Sequence, residues 1–240
     1  GPLLLGGLLV VAATCWLLAS LVYGGIQEEP GSTEGGANGI SEALGKLRLL
    51  RDEPDFGRFV LARALLLVSA LSSPFVVLLA REKGMGGWDG LPLFLLAAGA
   101  ASLLSSPFWG RFADRSSRLT MIVSGTLASV VALAAIATDA WIDGDTGGWA
   151  LVGLFFVLGV AHDGVRLGRK TYLVDLAGGN KRTDYVAVSN TAMGVLLLVT
   201  GAITGAVGTT SVPAALAVLA GMGLAGAWLC LRLPEVQQPG

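Results

Sequence analysis

Long apolar stretches alternate with short polar segments along the whole chain. Because a helix needs about 20 apolar residues to cross a hydrocarbon layer about 30 Å thick, each of these stretches has the length of a membrane span. None alternates with the period of two that is typical of membrane strands. The pattern therefore predicts an all-α fold, a polytopic transmembrane helical bundle. The predicted spans are Leu3–Tyr23, Phe59–Leu79, Leu91–Phe108, Leu119–Thr138, Trp149–Leu176, Tyr185–Val207 and Val212–Leu231.

Composition agrees with a membrane protein and narrows its chemistry. Apolar residues make up 53% of the chain, charged residues only 14%, and the mean hydropathy is +0.71, which lies outside the range of soluble proteins. Cys15 and Cys230 both fall inside predicted spans, so we expect neither a disulfide nor a metal site. The sequence shows no nucleotide-binding loop and no catalytic triad. We therefore expect no cofactor, no enzymatic activity, no ATP-driven transport and no nucleic-acid partner.

Basic residues are unevenly distributed between the connections. Alternate connections place ten Lys and Arg residues on one side of the membrane and two, Arg81 and Lys83, on the other. Because short cytoplasmic connections retain Lys and Arg, the first span is predicted to start outside and the C-terminus to lie inside, as in a bacterial inner membrane. The ten residues are Lys46, Arg48, Arg51, Arg58, Arg111, Arg115, Arg118, Lys181, Arg182 and Arg232.

The connection between the first two spans is long and changes character along its length. It opens with GGIQEEPGSTEGGANG, whose composition is typical of a flexible linker. It closes with ISEALGKLRLLRDEP, in which Ile40, Leu44, Leu47 and Leu50 share one helical face. We predict an amphipathic helix at about 40–51. Two placements remain open for it, one in the inner headgroup layer and one against the underside of the protein.

The connection after the third span carries the charged motif GRFADRSSR. This motif resembles the signature loop of the major facilitator superfamily, in which a glycine precedes a small residue, an aspartate and an arginine, and a basic residue follows three positions later. It departs from the family at Ser117, where glycine is usual, and at Leu119, where a second basic residue is common. The matching residues are Gly110, Ala113, Asp114, Arg115 and Arg118.

The order of the spans extends this resemblance to the whole chain. Two spans precede the signature loop, a long linker and one span precede those, and four spans follow it, as in spans six to twelve of a twelve-span family member. The resemblance implies a six-helix C-terminal bundle of the superfamily type plus one preceding helix. Since the chain opens on Gly1 without a basic leader, we expect a fragment whose partner is the missing N-terminal half of the same protein. The implied segments are 1–24, the sixth span; 25–57, the cytoplasmic linker; 58–233, the bundle; and 234–240, a cytoplasmic tail.

A second match lies at the end of the fifth predicted span, in YLVDLAGGNKRTDYVAVSN. Asp175, followed by Lys181 and Arg182, resembles the acidic position of the family that pairs with a signature-loop arginine. The resemblance implies a gating latch, and we predict a carboxylate oxygen of Asp175 within about 4 Å of Arg115 or Arg118. The alternative is incidental pairing of ordinary cytoplasmic charges. The implied latch residues are Gly110, Asp114, Arg115, Arg118, Asp175 and Arg182.

Before Asp175, the fifth predicted span also contains the only histidine of the chain and four further charged residues. Each charge would cost about 2.5–3.5 kcal/mol if it faced lipid, so lipid exposure is excluded. Either the helix ends near Gly164 and the charges form a loop, or it continues to Leu176 and they face a water-filled cavity. Their spacing of three and four residues places them on one helical stripe, which favours the cavity. The residues are His162, Asp163, Arg166, Arg169 and Lys170.

This stripe indicates the kind of solute. Its excess of basic side chains would attract an anionic solute or the carboxylate of a zwitterion. His162 and Asp163 are the groups most able to exchange a proton near neutral pH. Arg63, near the start of the second span, is expected to snorkel to the membrane interface instead of joining the cluster.

The resemblance and the stripe together predict a secondary active transporter that moves a small solute by alternating access. It would be embedded in membrane lipid, with the proton as the candidate coupling ion. One alternative is a non-transporting receptor or scaffold of the same shape. A less favoured alternative is a membrane phosphatidyltransferase-like enzyme, because the segment DGVRLGRKTYLVD faintly resembles the acidic motif of such enzymes.

Overall fold

The protein is helical throughout the part of the chain that the structure describes. The computed structural model describes residues 10, 13–22, 45–85, 90–177 and 181–237. The prediction of an all-α fold is confirmed. The helices are α1 (Ala13–Val22), α2 (Leu49–Asp52), α3 (Pro54–Leu65), α4 (Val68–Ala80), α5 (Gly90–Arg115), α6 (Ser117–Trp141), α7 (Gly144–Leu176), α8 (Arg182–Thr210) and α9 (Val212–Cys230).

Among the described residues, six helical segments are long and apolar enough to cross a membrane. The first of them joins α3, α4 and a π-helical turn into Pro54–Met85, and the other five are α5 to α9. Of the predicted first span, Leu3–Tyr23, the structure describes a helix of 10 residues, α1, and the remainder lies outside the described residues. Each of the six predicted bundle spans therefore corresponds to one helical segment.

The segment Pro54–Met85 is interrupted between α3 and α4. Leu66 lies at the interruption and packs against Gly125 of α6 and Gly226 of α9, where a Cβ atom on either glycine would collide with its neighbours. The hydroxyl of Ser69 donates a hydrogen bond of 3.3 Å to the carbonyl of Leu66, which provides a partner for a carbonyl near the break. The interruption thus places the hydroxyl of Ser69 next to the ring of His162 on α7.

Two ends of the bundle are distinguished by their residues. We call the motif end the one formed by the start of α3, the turn between α5 and α6, the end of α7, the start of α8 and residues 231–237. The opposite end is the Lys83 end. There the ammonium of Lys83 donates to the backbone carbonyl of Asp139 at 2.7 Å and to the carboxylate of Asp143 at 3.0 Å. Gly84 adopts a positive φ of 97°, which glycine tolerates without strain, so the chain can turn toward α5.

Stacked aromatic rings hold α7 at the motif end. The rings of Phe59 and Tyr172 lie 5.0 Å apart, and those of Phe56 and Tyr185 lie 4.1 Å apart. All four rings are almost completely buried. Since aromatic pairs at these distances add packing energy to burial, they fix α3, α7 and α8 relative to one another. The positive charges of the candidate site lie on α3 and α7, and α8 contributes Val186 and Asn190 to the same lining.

The end of the predicted linker packs against the bundle. Over residues 45–52 the chain forms helical turns, and only α2 is a separate helix, so the predicted amphipathic helix at about 40–51 is shorter in this range; residues 40–44 lie outside the described residues. Leu47 and Leu50 pack against the core of the motif end. Of the two placements, the contacts therefore favour the underside of the protein. The ammonium of Lys46 contacts the carboxylate of Asp184 at 2.8 Å.

Candidate functional site

Helix α7 carries the charged stripe and runs without interruption for 33 residues, from Gly144 to Leu176. The prediction of a continuous helix is confirmed, and the alternative of a break near Gly164 is wrong. Gly164 and Gly168 are buried inside α7. A Cβ at Gly164 would come within 2.6 Å of the indole of Trp109, and one at Gly168 within 2.9 Å of the side chain of Met121. The glycines therefore serve close packing against α5 and α6.

His162 and Asp163 contact hydroxyl groups of neighbouring helices. The Nδ1 atom of His162 lies 3.2 Å from the hydroxyl of Ser69 on α4. The hydroxyl of Ser105 on α5 donates to Asp163 at 3.3 Å. The other carboxylate oxygen of Asp163 lies 3.1 Å from the guanidinium of Arg166, and only 12% of the Asp163 side chain is exposed, against 53% for Arg166. Both residues are turned toward the helices of the bundle.

Four basic side chains from two helices line one cavity of about 300 Å³, which we call the cationic cavity. Three of these side chains belong to the predicted stripe. The fourth is Arg63 of α3, whose guanidinium donates to Ser189 at 2.6 Å and to Asn190 at 3.0 Å, both on α8. The expectation that Arg63 snorkels away from the cluster is therefore wrong, because α8 offers it two polar acceptors, the buried Ser189 and the exposed Asn190. The lining residues are Arg63, Arg166, Arg169, Lys170, Leu173, Val174, Val186 and Asn190.

A second cavity of about 400 Å³ lies between α5 and α7, and we call it the aspartate cavity. Arg166 and Lys170 line both cavities. The indole of Trp109 is 2% exposed and donates a hydrogen bond of 2.8 Å to the carbonyl of Val160. This bond fixes the ring against α7. The lining residues are Ser106, Trp109, Gly110, Asp163, Arg166, Leu167 and Lys170.

Positive charge outweighs negative charge around the two cavities. Within the described part of the chain, Asp163 is the one acidic residue that lines either of them, against four basic side chains. The buried Nε atoms of Arg63 and Arg169 have no hydrogen-bond partner among the described residues. Because a buried charged group without a partner is costly, these guanidinium groups provide unused donors. The arrangement can bind an anion through charge-assisted hydrogen bonds.

The predicted ion pair of the latch is absent from the described part of the chain. The Nε atom of Arg118 lies 3.3 Å from the carboxylate of Glu235, and Asp175 accepts a hydrogen bond of 3.2 Å from the side-chain amide of Gln237. The prediction of contact between Asp175 and Arg115 or Arg118 is wrong in this structure, because residues 233–237 supply both partners. The sequence had predicted residue 233 as the end of the bundle and residues 234–240 as a cytoplasmic tail.

The other signature residues are distributed along the same end. Gly110 lies on α5 and lines the aspartate cavity. Asp114 and Arg115 are exposed at the end of α5, and Arg182 begins α8. Ser116 caps α6, since its hydroxyl accepts a hydrogen bond of 3.0 Å from the backbone N–H of Leu119. The signature loop is thus a tight helix-to-helix turn, and the gating role of its charges stays a prediction.

Sequence reasoning missed the hydroxyl and amide partners of the stripe. Ser69, Ser105, Ser189 and Asn190 all lie inside predicted apolar spans. Their signal was their polarity in such a context, because polar groups in a membrane interior need partners. A single sequence does not specify which helix each of them faces.

Residues 59–240 match the family model described as Major Facilitator Superfamily. No curated protein and no solved structure matches the chain. The matched residues contain α4 to α9 and all but the first residues of α3. They therefore include both cavities and the whole turn between α5 and α6.

Proposed function

Because the chain belongs to the major facilitator superfamily, a family of membrane transporters, it is an integral membrane protein, and we propose that it forms part of a secondary active transporter for a small anionic solute. Transport would proceed by alternating access, with two bundles rocking around a site between them. This chain supplies one bundle. The other is an N-terminal half that precedes it in the full-length protein.

The observation that carries the proposal is the cationic cavity. Its arginines come from α3 and α7, and the apolar side chains of Leu173, Val174 and Val186 complete the wall. In a site of low dielectric constant, an anion interacts with such groups far more strongly than in water. The buried, unpartnered Nε of Arg169 is the donor that a carboxylate or phosphate group would satisfy best.

The proposed orientation follows the distribution of basic residues. Residues 1–24 would be the sixth span, starting outside, and residues 25–57 the cytoplasmic linker. Residues 58–233 would be the C-terminal bundle, and the motif end with residues 234–240 would face the cytoplasm of a bacterial inner membrane. The contacts of Glu53 with Lys181 at 2.7 Å and with Tyr185 support a linker that is fastened to the bundle at that end.

We propose the proton as the coupling ion, through competition at Arg166. In the described structure Arg166 pairs with Asp163. An anion that drew Arg166 toward the cationic cavity would leave the Asp163 carboxylate without its cation, and a proton would then take the place of that cation. Binding of anion and proton would then support each other. His162, held by Ser69, would accept or donate the proton along the same stripe.

A binding screen tests the proposed solute class. The full-length protein, purified in lipid nanodiscs, would be mixed with simple mono- and dicarboxylates, inorganic phosphate, neutral sugars and primary amines, and its melting temperature recorded. We expect stabilisation by at least one anion and by none of the neutral or cationic compounds, since ligand binding to the folded state raises stability by mass action. If only neutral or cationic compounds stabilised the protein, or if no compound in the screen did, the proposal of an anionic solute would be contradicted.

A transport assay separates this proposal from a receptor of the same shape. A receptor would bind the anion identified in the screen without moving it across the membrane. In proteoliposomes, we expect uptake of that anion to rise when a proton gradient is imposed and to collapse with a protonophore. Binding without uptake would instead favour the non-transporting alternative.

A further inference from the structure

We infer that the C-terminal segment Leu233–Gln237, which we call the tail segment, is a gate: it fastens the turn between α5 and α6 to α7 in this conformation and must release when the bundle moves. The inference rests on the proposed transport function, because a gate has meaning only in a protein that changes conformation. It assigns to the tail segment the fastening role that the sequence predicted for Asp175 and Arg118 directly.

Glu235 and Leu233 occupy the basic side of the turn. The hydroxyl of Ser116 donates to the carboxylate of Glu235 at 2.8 Å. The Nε atom of Arg118 lies 3.3 Å from the same oxygen, as a close charge contact without hydrogen-bond geometry. The Nη1 atom of Arg118 donates to the backbone carbonyl of Leu233 at 2.9 Å. A single arginine of the signature loop is therefore held at two points of the tail segment.

Gln237 joins three helices at once. Its Oε1 atom accepts from the backbone N–H of Ser117 at 2.5 Å, at the start of α6. Its Nε2 atom donates to the backbone carbonyl of Ala113 at 2.7 Å, near the end of α5, and to Asp175 of α7 at 3.2 Å. The amide thus supplies partners to the unpaired backbone groups that every helix end presents.

The contacts connect the tail segment to the helix of the candidate site. The hydroxyl of Tyr172 donates to the carbonyl of Pro234 at 3.0 Å, and Tyr172 lies on α7 within one turn of Arg169 and Lys170. A shift of α7 on solute binding would therefore move Tyr172 and Asp175 together and pull on both ends of the tail segment. Since the side chains of Arg118 and Glu235 are partly exposed, at 28% and 36%, water can replace these contacts at low cost. Such contacts suit a fastening that opens repeatedly.

Two variants and a matched control test the inference in the full-length protein in nanodiscs. Glu235→Gln weakens the contact with Arg118, and Gln237→Ala removes the bridge between α5, α6 and α7. Glu82→Gln changes an exposed carboxylate at the Lys83 end and serves as the control. Each variant is made with Cys15→Ser, which removes an exposed thiol, and Val186→Cys, which places a label in the wall of the cationic cavity.

Two measurements are compared, both independent of any solute. Hydrogen exchange reports on the backbone amides of residues 113–120, and the maleimide labelling rate of the cysteine at position 186 reports on the opening of the cavity. For Gln237→Ala and Glu235→Gln we expect each quantity to change by about threefold to tenfold, the range of hydrogen bonds and ion pairs of this exposure. The control should leave both unchanged.

Faster exchange at the turn with an unchanged labelling rate would overturn the inference, because the tail segment would then be a local support only. Unchanged values of both quantities would overturn it as well. The paired change Arg118→Glu with Glu235→Arg should bring the labelling rate part of the way back to the wild-type value, because it recreates the charge contact but not the hydrogen bond to the carbonyl of Leu233. This restoration is also informative where a single variant is unstable. Because neither measurement uses an anion, a failure of the proposed solute class leaves the outcome readable.

Discussion

The cationic cavity and the motif end contain similar side chains arranged for opposite purposes. In the cavity, Arg169 makes no ion pair among the described residues, and its buried Nε atom has no hydrogen-bond partner there. At the motif end, Arg118 and Asp175 are each matched by a residue of the tail segment. Both regions lie along α7 and its neighbours, separated by only a few turns of helix.

This difference shows that charge in a membrane bundle is informative only together with its partners. A paired group contributes to holding the structure, and an unpaired one in a cavity is available for a ligand. Charged segments that look alike in the sequence therefore have two distinct roles, one in holding the structure and one in binding a ligand. The predictions below change one region at a time.

Replacing an unpaired arginine should have the largest effect. Arg169→Ala removes the buried guanidinium of the cationic cavity, and we expect affinity for the anion found in the screen to fall at least about 30-fold, or about 2 kcal/mol. The matched control is Arg111→Ala, because Arg111 is exposed on α5 and, among the described residues, donates only to the carbonyl of Pro107. Isothermal titration would measure both. Equal losses for the two variants would remove the distinction between the cavity and the rest of the surface.

The close packing of α7 against α5 is expected to be the feature next most sensitive to substitution. Gly164→Ala would place a methyl group 2.6 Å from the indole of Trp109, and we expect a loss of about 1–3 kcal/mol of stability from overpacking. Gly153→Ala, on the same helix but with no atom within 4 Å, should be neutral or stabilising by up to about 1 kcal/mol. Thermal unfolding in detergent distinguishes the two variants. A neutral Gly164→Ala would mean that α5 and α7 separate easily.

The third prediction concerns Arg166, an arginine of the cavity that is paired. Asp163→Asn frees Arg166 from its partner, and we expect affinity for the anion to rise about threefold to tenfold, since the carboxylate no longer competes. Uptake driven by a proton gradient should be lost, while exchange of anion for anion persists. Proteoliposome assays measure both modes. Gradient-driven uptake at the wild-type level would argue against competition at Arg166 as the coupling step.

The smallest expected effect concerns two buried serines of α4. The hydroxyl of Ser69 contacts His162 at 3.2 Å, whereas the hydroxyl of Ser72 has no partner among the described residues. We expect Ser69→Ala to cost about 0.5–1.5 kcal/mol of stability and Ser72→Ala to cost close to nothing. Thermal unfolding of the two variants side by side is the measurement. Identical costs would show that the contact with His162 contributes no stability.

The fold was largely predictable from the sequence, because crossing a membrane requires long apolar helices. The six bundle spans and the continuity of α7 through its charges followed from this requirement and from the helical spacing of the stripe. The boundaries were less exact: α3 begins at Pro54, five residues before the predicted Phe59.

The site was predictable only along α7. The spacing of residues on one helix fixes their common face, but contacts between helices depend on packing that a single sequence does not specify. Arg63 was therefore assigned to the interface although it binds Ser189 and Asn190 of α8. The contacts of the tail segment were not predicted for the same reason, since the sequence around Glu235 and Gln237 does not indicate which turn they contact.

The indole of Trp109 gives the protein a built-in optical probe. It lines the aspartate cavity and is 2% exposed, whereas Trp16, Trp141, Trp149 and Trp228 are all more than half exposed. Since its N–H donates to the carbonyl of Val160, the ring is held beside Arg166 and Lys170, which line the same cavity. A rearrangement of either charge would therefore alter the emission of Trp109. Movements within the site can thus be followed by light from the native chain, without any attached label.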